Sequence, residues 1–167
     1  MEIERKFTIK ELPADLENYP HRLIEQAYLC TSPVVRVRRD NDHYYMTYKG
    51  SGLMSREEYN LPLDEVSYEH LKQKADGYII TKTRYEIPIK APRFMEGYVP
   101  TKASKDWEAL IELDIFTGDI SLIMAEVEFP DEETANAYLP EDWFLEDVTG
   151  DKRYHNSNMS RNGFKAQ

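Results

Sequence analysis

A single cysteine, Cys30, is all the thiol this 167-residue chain has, so no internal disulfide can brace it. That economy fits a reducing cytoplasm, the expected location. Glycine is scarce too, at seven residues, and none of them builds a glycine-rich phosphate loop, so any phosphate recognition has to rest on side chains. Apolar runs are as short as Ser121–Ala125, far below the ~20 residues of a membrane span. The opening residues Met1–Lys6 alternate charge with apolar character, which is unlike a secretory signal. Positive charge is in deficit. With 21 Lys and Arg against 31 Asp and Glu, the net charge of −10 argues against a sequence-independent grip on nucleic acid. Neither nucleic acid nor membrane is expected as a partner. The histidines His21, His43, His70 and His155 are scattered without HExxH spacing, and Trp107 and Trp143 read as packing residues.

What is present is strand. Glu2–Lys10, His21–Leu29, Val34–Arg39, His43–Lys49, Ser55–Leu63, Tyr78–Ile89, Leu110–Phe116 and Leu122–Phe129 are rich in β-branched or aromatic residues, and most are bounded by Pro, Gly, Asn or Asp. Turns are expected at Asp40–Asp42, Gly50–Gly52 and Thr117–Asp119. Helical signals are fewer: Asp64–Ala75, with Asp64 as N-cap, and Asp131–Leu139 after Pro130. Asn156–Gln167 reads as a short helix or a disordered tail. The length fits one domain over residues 1–167. The expected class is α+β, mainly β, with eight strands in an antiparallel barrel or sandwich and a few flanking helices.

Residues two apart on a strand share a face, roughly 6.5–7 Å apart. Glu2, Glu4 and Lys6 therefore lie opposite Ile3, Phe7 and Ile9. The pattern repeats with Arg36 and Arg38, with Lys49 in phase with Tyr45 and Thr47, and with Arg56 and Glu58. Lys82, Arg84 and Glu86 follow it, as do Glu112 with Asp114 and Glu126 with Glu128. An open sheet could simply solvate such a face. A barrel that turned it inward would need water, ion pairs, metals or a charged ligand, because burying an unpaired ion costs several kcal/mol or more. Some strands are cationic and others acidic, which points to phosphate oxygens gripped by Lys and Arg, with carboxylates suited to Mg²⁺ or Mn²⁺.

In this order, the residues resemble the CYTH superfamily of triphosphate tunnel metalloenzymes. Glu2-Ile-Glu-Arg-Lys6 reads as its ExExK signature. It is followed by Arg36-Val-Arg38, Tyr48-Lys49-Gly50, Arg56-Glu-Glu58, Lys82-Thr-Arg84, Glu112-Leu-Asp114 and Ala125–Phe129, and Asp147–Asn156 resembles the family's C-terminal segment. A bare ExExK is common by chance, but the ordered set covers essentially the whole chain.

The resemblance implies a closed eight-stranded tunnel, open at both ends, that binds triphosphates with two divalent ions, Mg²⁺ or Mn²⁺. It implies that Glu2, Glu4, Glu112, Asp114, Glu126 and Glu128 hold metal. Lys6, Arg36, Arg38, Lys49, Arg56, Glu58, Lys82 and Arg84 would bind substrate, and Glu2, Glu4, Lys6, Asp114 and Glu126 would form the catalytic set. Two features depart from the pattern. Asn60 stands where relatives often carry a further acid, and the connection Ala91–Glu108 is long. The implied activity is hydrolysis of a triphosphate, foremost inorganic tripolyphosphate to pyrophosphate and phosphate. Adenylate cyclase, thiamine triphosphatase, nucleoside triphosphatase and a non-catalytic polyphosphate-binding module are the alternatives. A homodimer is compatible with the sequence and is not specified by it.

Overall fold

The computed structural model of the chain describes residues 1–164. Its twelve strands are β1 (Glu2–Ile9), β2 (His21–Thr31), β3 (Val34–Asp40), β4 (His43–Lys49), β5 (Ser55–Arg56), β6 (Glu58–Leu63), β7 (Ile80–Pro88), β8 (Arg93–Phe94), β9 (Leu110–Thr117), β10 (Ile123–Glu128), β11 (Tyr138–Leu139) and β12 (Phe144–Asp147). Three helices accompany them: α1 (Glu65–Lys72), α2 (Glu132–Ala137) and α3 (Asn156–Asn162). None is long and apolar enough to cross a membrane among the described residues.

Antiparallel pairing runs β1-β10-β9-β7-β2-β3-β4-β6. The ring closes through one continuous segment. Glu58–Leu63 pairs with β4, and just before it Ser55–Arg56 pairs with β1, so Glu57 is the point where the expected strand Ser55–Leu63 changes partner. Counting β5 and β6 as one, eight strands make a barrel with no free sheet edge along this path.

The expected alternation places apolar residues outside. Ile3, Phe7, Ile111, Leu113, Ala125 and Val127 form a core on the outer face of β1, β9 and β10. It is roofed by Ala135 of α2, Tyr138 of β11 and Phe144 of β12, with Phe94 and Trp107 against it. On the opposite side Ala27 and Val37 pack under Tyr68 of α1. That helix starts as expected at Asp64, whose carboxylate accepts from the Ser67 backbone N–H at 2.7 Å.

Several expectations shift. The helix expected over Asp131–Leu139 ends at Ala137, and Tyr138–Leu139 becomes a strand paired with Arg93–Phe94. The carbonyls of Ala135 and Tyr138 are taken by Arg5 Nη1 at 2.8 and 2.9 Å, which satisfies groups a longer helix would have bonded internally. The tail forms α3, and residues 165–167 of it lie outside the described part. The barrel is also not open at both ends. Beyond the charged positions the inward faces become apolar at Tyr28, Val34, Ile80, Phe116 and Met124, and the fully buried Met159 of α3 packs into them. A water-filled channel there would expose this surface, so burial closes it.

Candidate active site: a charged cavity inside the barrel

Register lines up the charged rows. Lys6 stands opposite Glu126, Glu4 opposite Glu128, Arg84 opposite Asp114 and Glu112 opposite Glu126. Together they bound a cavity of about 380 Å³. Glu2, Glu4, Lys6, Arg36, Arg38, Lys49, Arg56, Glu58, Arg84, Glu112, Glu126 and Glu128, all singled out from the sequence, line it. Asn60 and Tyr45 do so as well.

Lys82 and Asp114 are brought to the same centre but lie behind the cavity surface. Their side chains are wholly buried and paired at 2.7 Å. Both Asp114 oxygens are already taken, Oδ1 by Arg84 Nε at 2.7 Å, and Oδ2 by Lys82 Nζ at 2.7 Å and Arg84 Nη2 at 2.8 Å. With three charged donors around it, this carboxylate is fully engaged by Lys82 and Arg84 in the ligand-free chain.

The wall made by β1, β7, β9 and β10 is a closed ion-pair network. Lys6 Nζ lies 2.9 Å from both Glu4 and Glu126. Arg84 extends from Asp114 to Glu112 at 2.8 Å and to Glu126 at 3.3 Å. Burial opposes charge on every member, but the partners prevail in most. The Lys6 ammonium holds Glu4 below its ordinary range, and Lys6 with Arg84 holds Glu126 well below it. Lys82 is the exception, since its burial outweighs Asp114 and brings its ammonium down to about 7.

Nearer the acidic mouth the balance reverses. Burial and the neighbouring Glu4 push the Glu2 carboxyl up to about 7 despite Lys49. Lys49 Nζ donates to Glu2 Oε1 at 3.0 Å. It also lies 2.7 Å from Oε2, but off the hydrogen-bonding direction, so Oε2 has an ionic neighbour and no aligned donor. Glu128 is raised by partial burial and by Glu112, Glu58 and Glu4. Carboxylates that resist ionisation beside one another suit an added cation. No group of three or more acids, histidines or cysteines is preassembled as a metal cage among the described residues.

Across the cavity, β3 presents Arg36 and Arg38 with no carboxylate partner among the described residues. Arg36 Nη2 donates to Thr47 Oγ1 at 3.1 Å, and its buried Nε has no partner among the described residues. Thr47 in turn donates to Asn60 Oδ1 at 2.6 Å, so the residue that replaces an expected acid supports this hydroxyl. Arg38 donates to Gln26 Oε1 at 2.8 Å and Tyr45 Oη at 3.2 Å. Burial, and then the Arg38 charge, lower the Arg36 pKa, the signature of a cation lacking its counter-ion.

Several lining groups escaped the sequence reading. Arg22 reaches Asp40 at 2.9 Å and Glu86 at 3.4 Å at the mouth, and Asn156 and Ser157 enter from α3. Asn156 Oδ1 accepts from Gln26 Nε2 at 3.1 Å and Lys82 Nζ at 3.3 Å, which ties the helix to the cavity floor. In β2 the inward phase Arg22, Ile24, Gln26, Tyr28 mixes polar with apolar residues, which hid it. The connection Ala91–Glu108 is tied to the rest of the domain by its side chains. Trp107 Nε1 donates to the Glu128 carbonyl at 3.0 Å, Tyr98 bonds Thr134, and Thr101 bonds Asp131, so it is strapped over α2 and the outer core.

Comparison with known proteins finds similarity over nearly the whole chain. A family model described as the CYTH domain matches residues 1–148. An inorganic triphosphatase of Nitrosomonas europaea is 38% identical over 164 residues, 95% of this chain and 96% of the relative. One from Acetivibrio thermocellus is 34% identical over 175 residues, 98% and 96% of the respective chains. The crystal structure of an inorganic triphosphatase matches with a TM-score of 0.65 at 32% identity, covering 96% of this chain and 94% of that one.

Proposed function

The chain belongs to the CYTH-domain family, and from that premise we propose that its cavity hydrolyses a triphosphate with Mg²⁺ or Mn²⁺, and that inorganic tripolyphosphate is the preferred substrate. The observation that carries the reading is the asymmetry of the wall. Arg36 and Arg38 are buried cations without carboxylate partners, and they face an acidic mouth where Glu2 Oε2 has no aligned donor. An anion at one side and a cation at the other would complete both. The names of the two relatives support the same reading.

In this reading Arg36, Arg38 and Lys49 bind the phosphate oxygens, Arg in the forked geometry that suits them. Lys6 and Arg84 neutralise charge that builds on the phosphoryl group as the anhydride bond to the leaving pyrophosphate breaks. Glu2, Glu4, Glu126 and Glu128 would hold the divalent ions, whose oxygen-ligand preference their carboxylates fit. When bound, such ions would supply charge neutralisation and a more acidic water. A carboxylate of this set would accept the proton of the attacking water. Glu112 and Asp114 orient Arg84, Asp114 fixes Lys82, and Arg56 and Glu58 complete the rim of the cavity.

The preference for a bare triphosphate rests on the aromatics. Tyr45 is engaged by Arg38, and Trp107 is tilted against Phe129 with its N–H bonded to a carbonyl, so neither ring stands free to stack an organic group. Phosphate release from tripolyphosphate, ATP and thiamine triphosphate, with Mg²⁺, with Mn²⁺ and with chelator, tests the proposal. The expected order of kcat/KM puts tripolyphosphate first and gives no turnover under chelator. Cyclic AMP from ATP would replace hydrolysis by cyclisation, and binding without release under any metal would leave a polyphosphate-binding module.

A further inference from the structure

A second space of about 610 Å³ adjoins the catalytic cavity, between the β4–β5 loop, the β2–β3 turn and α3. Val34, Arg56 and Ser157 line both spaces, so the two share a wall. The lining of the second differs sharply from that of the first. It contains Arg56, Lys152, His155 and Arg161 and no carboxylate at all, in a chain whose acids outnumber its Lys and Arg by 31 to 21. Lys152 makes no ion pair or side-chain hydrogen bond among the described residues, and Arg161 reaches only Thr31 Oγ1, at 3.5 Å. Arg56 stands 3.9 Å from Glu2 on the catalytic side and has no closer acid. Neighbouring Arg153 is neutralised by Asp151 at 2.6 Å, which shows that nearby cations do take local partners where these exist.

We propose that this vestibule is a second phosphoanion subsite, which takes phosphate groups beyond the three held inside the barrel. The proposal rests on the reading of the cavity as a triphosphate site. Its chemistry follows from unneutralised Lys and Arg around a hollow lined in part by hydroxyls, which attracts multiply charged oxyanions. The axial end of the barrel is closed by the apolar cluster around Met159, so Arg56 marks the place where charge continues outward on that side. The occupant is then either the distal part of a polyphosphate longer than three residues or a product phosphate on its way out.

The test uses the full chain with Lys152→Glu and Arg161→Glu combined, two exposed positions whose replacement leaves the core untouched. Inorganic pyrophosphate is titrated calorimetrically into the wild type, into an Arg36→Gln/Arg38→Gln variant and into that variant carrying the two reversals as well. The expected result is residual binding in the Arg36/Arg38 variant that disappears with the reversals. Equal binding with and without the reversals overturns the proposal, while binding that survives in neither background-matched pair member does the same. Turnover then separates the sources. If the vestibule holds a longer chain, the reversals lower the ratio of kcat/KM for tetrapolyphosphate to that for tripolyphosphate about fivefold. If it holds product, that ratio stays and inhibition by added pyrophosphate weakens by a similar factor. No effect on either quantity would remove the subsite, while failure of the wild type to turn over any triphosphate would instead remove the catalytic reading.

Discussion

The two walls of the cavity are built from the same residue types and behave oppositely. On β1, β7, β9 and β10 every lysine and arginine has a carboxylate within 3 Å, as Lys6 has Glu126 and Arg84 has Asp114. On β3, Arg36 and Arg38 have only Thr47, Gln26 and Tyr45. The paired wall needs no ligand to be electrostatically satisfied. The unpaired wall stores a debt of desolvation that only an anion removes. The ligand-free fold is therefore braced by the paired wall, while the unpaired arginines of β3 contribute to anion binding and little to stability.

The largest effects are expected on turnover. Glu4→Gln or Glu126→Gln removes a carboxylate proposed to hold the divalent ions and should lower kcat by about a thousandfold or more at saturating Mg²⁺. An unchanged rate would take both residues out of the metal site. Arg36→Gln should lower kcat/KM for tripolyphosphate about a hundredfold, since a buried cation is lost from the phosphate site. Its thermal stability without ligand should stay within ~1 kcal/mol of wild type or rise, because the replaced guanidinium has an unsatisfied Nε. On the paired wall the pattern inverts. Asp114→Asn leaves Lys82 without its carboxylate and Arg84 with only Glu112 and Glu126, and should cost about 3–5 kcal/mol in denaturant unfolding. If the two substitutions proved equally destabilising, the distinction between the walls would fall.

A smaller effect concerns pH. The Glu2 carboxyl is raised to about 7 from an ordinary value of 4.5, so its charged form is disfavoured in the fold. The penalty is absent below pH 4.5, grows as pH rises, and is complete above about 7. Glu2→Gln should therefore stabilise the ligand-free protein above pH 7, by on the order of 1–3 kcal/mol, and the gain should vanish towards pH 4.5. Saturating Mg²⁺ should erase it at pH 8 by offsetting the same charge. A melting-temperature difference that is constant from pH 5 to 8 would show that Glu2 is ionised throughout.

Much of this was legible because strand alternation is a strong constraint. Once Ile3 and Phe7 face the outer core, Glu2, Glu4 and Lys6 have nowhere to point but inward, and the same holds for β3, β7, β9 and β10. What alternation cannot show is depth. Lys82 and Asp114 share the phase of Arg84 yet lie below the cavity surface, because Asn156 of α3 and the ring of Phe116 cover them. The helix α3 itself was ambiguous. Its sequence Asn-Ser-Asn-Met-Ser-Arg-Asn has weak helix propensity, and it forms where Met159 and Ser160 are buried against the barrel. Strands β8, β11 and β12 are two to four residues long, and their partners lie far away in sequence, so no local pattern announces them.

The smallest effect is expected from the connection between β8 and β9. Lys102 and Lys105 lie on it, and a long cationic loop invites the idea that it draws substrate to the mouth. The structure gives it a different task. Thr101 and Tyr98 bind Asp131 and Thr134 at the start of α2, and Trp107 packs on Phe129 while holding the Glu128 carbonyl. Both lysines are exposed, neither lines the catalytic cavity, and charges so placed are screened within about 8 Å at physiological ionic strength. Lys102→Ala with Lys105→Ala should therefore change kcat/KM for tripolyphosphate by less than about twofold at physiological salt. Trp107→Ala should act differently, because it removes a ring from the outer core and the donor that fixes the Glu128 backbone. Unfolding should report that loss first, at about 2–4 kcal/mol. If the lysine pair instead lowered kcat/KM severalfold at low salt, and added salt abolished the difference, the loop would be guiding substrate in addition to strapping α2 to the barrel.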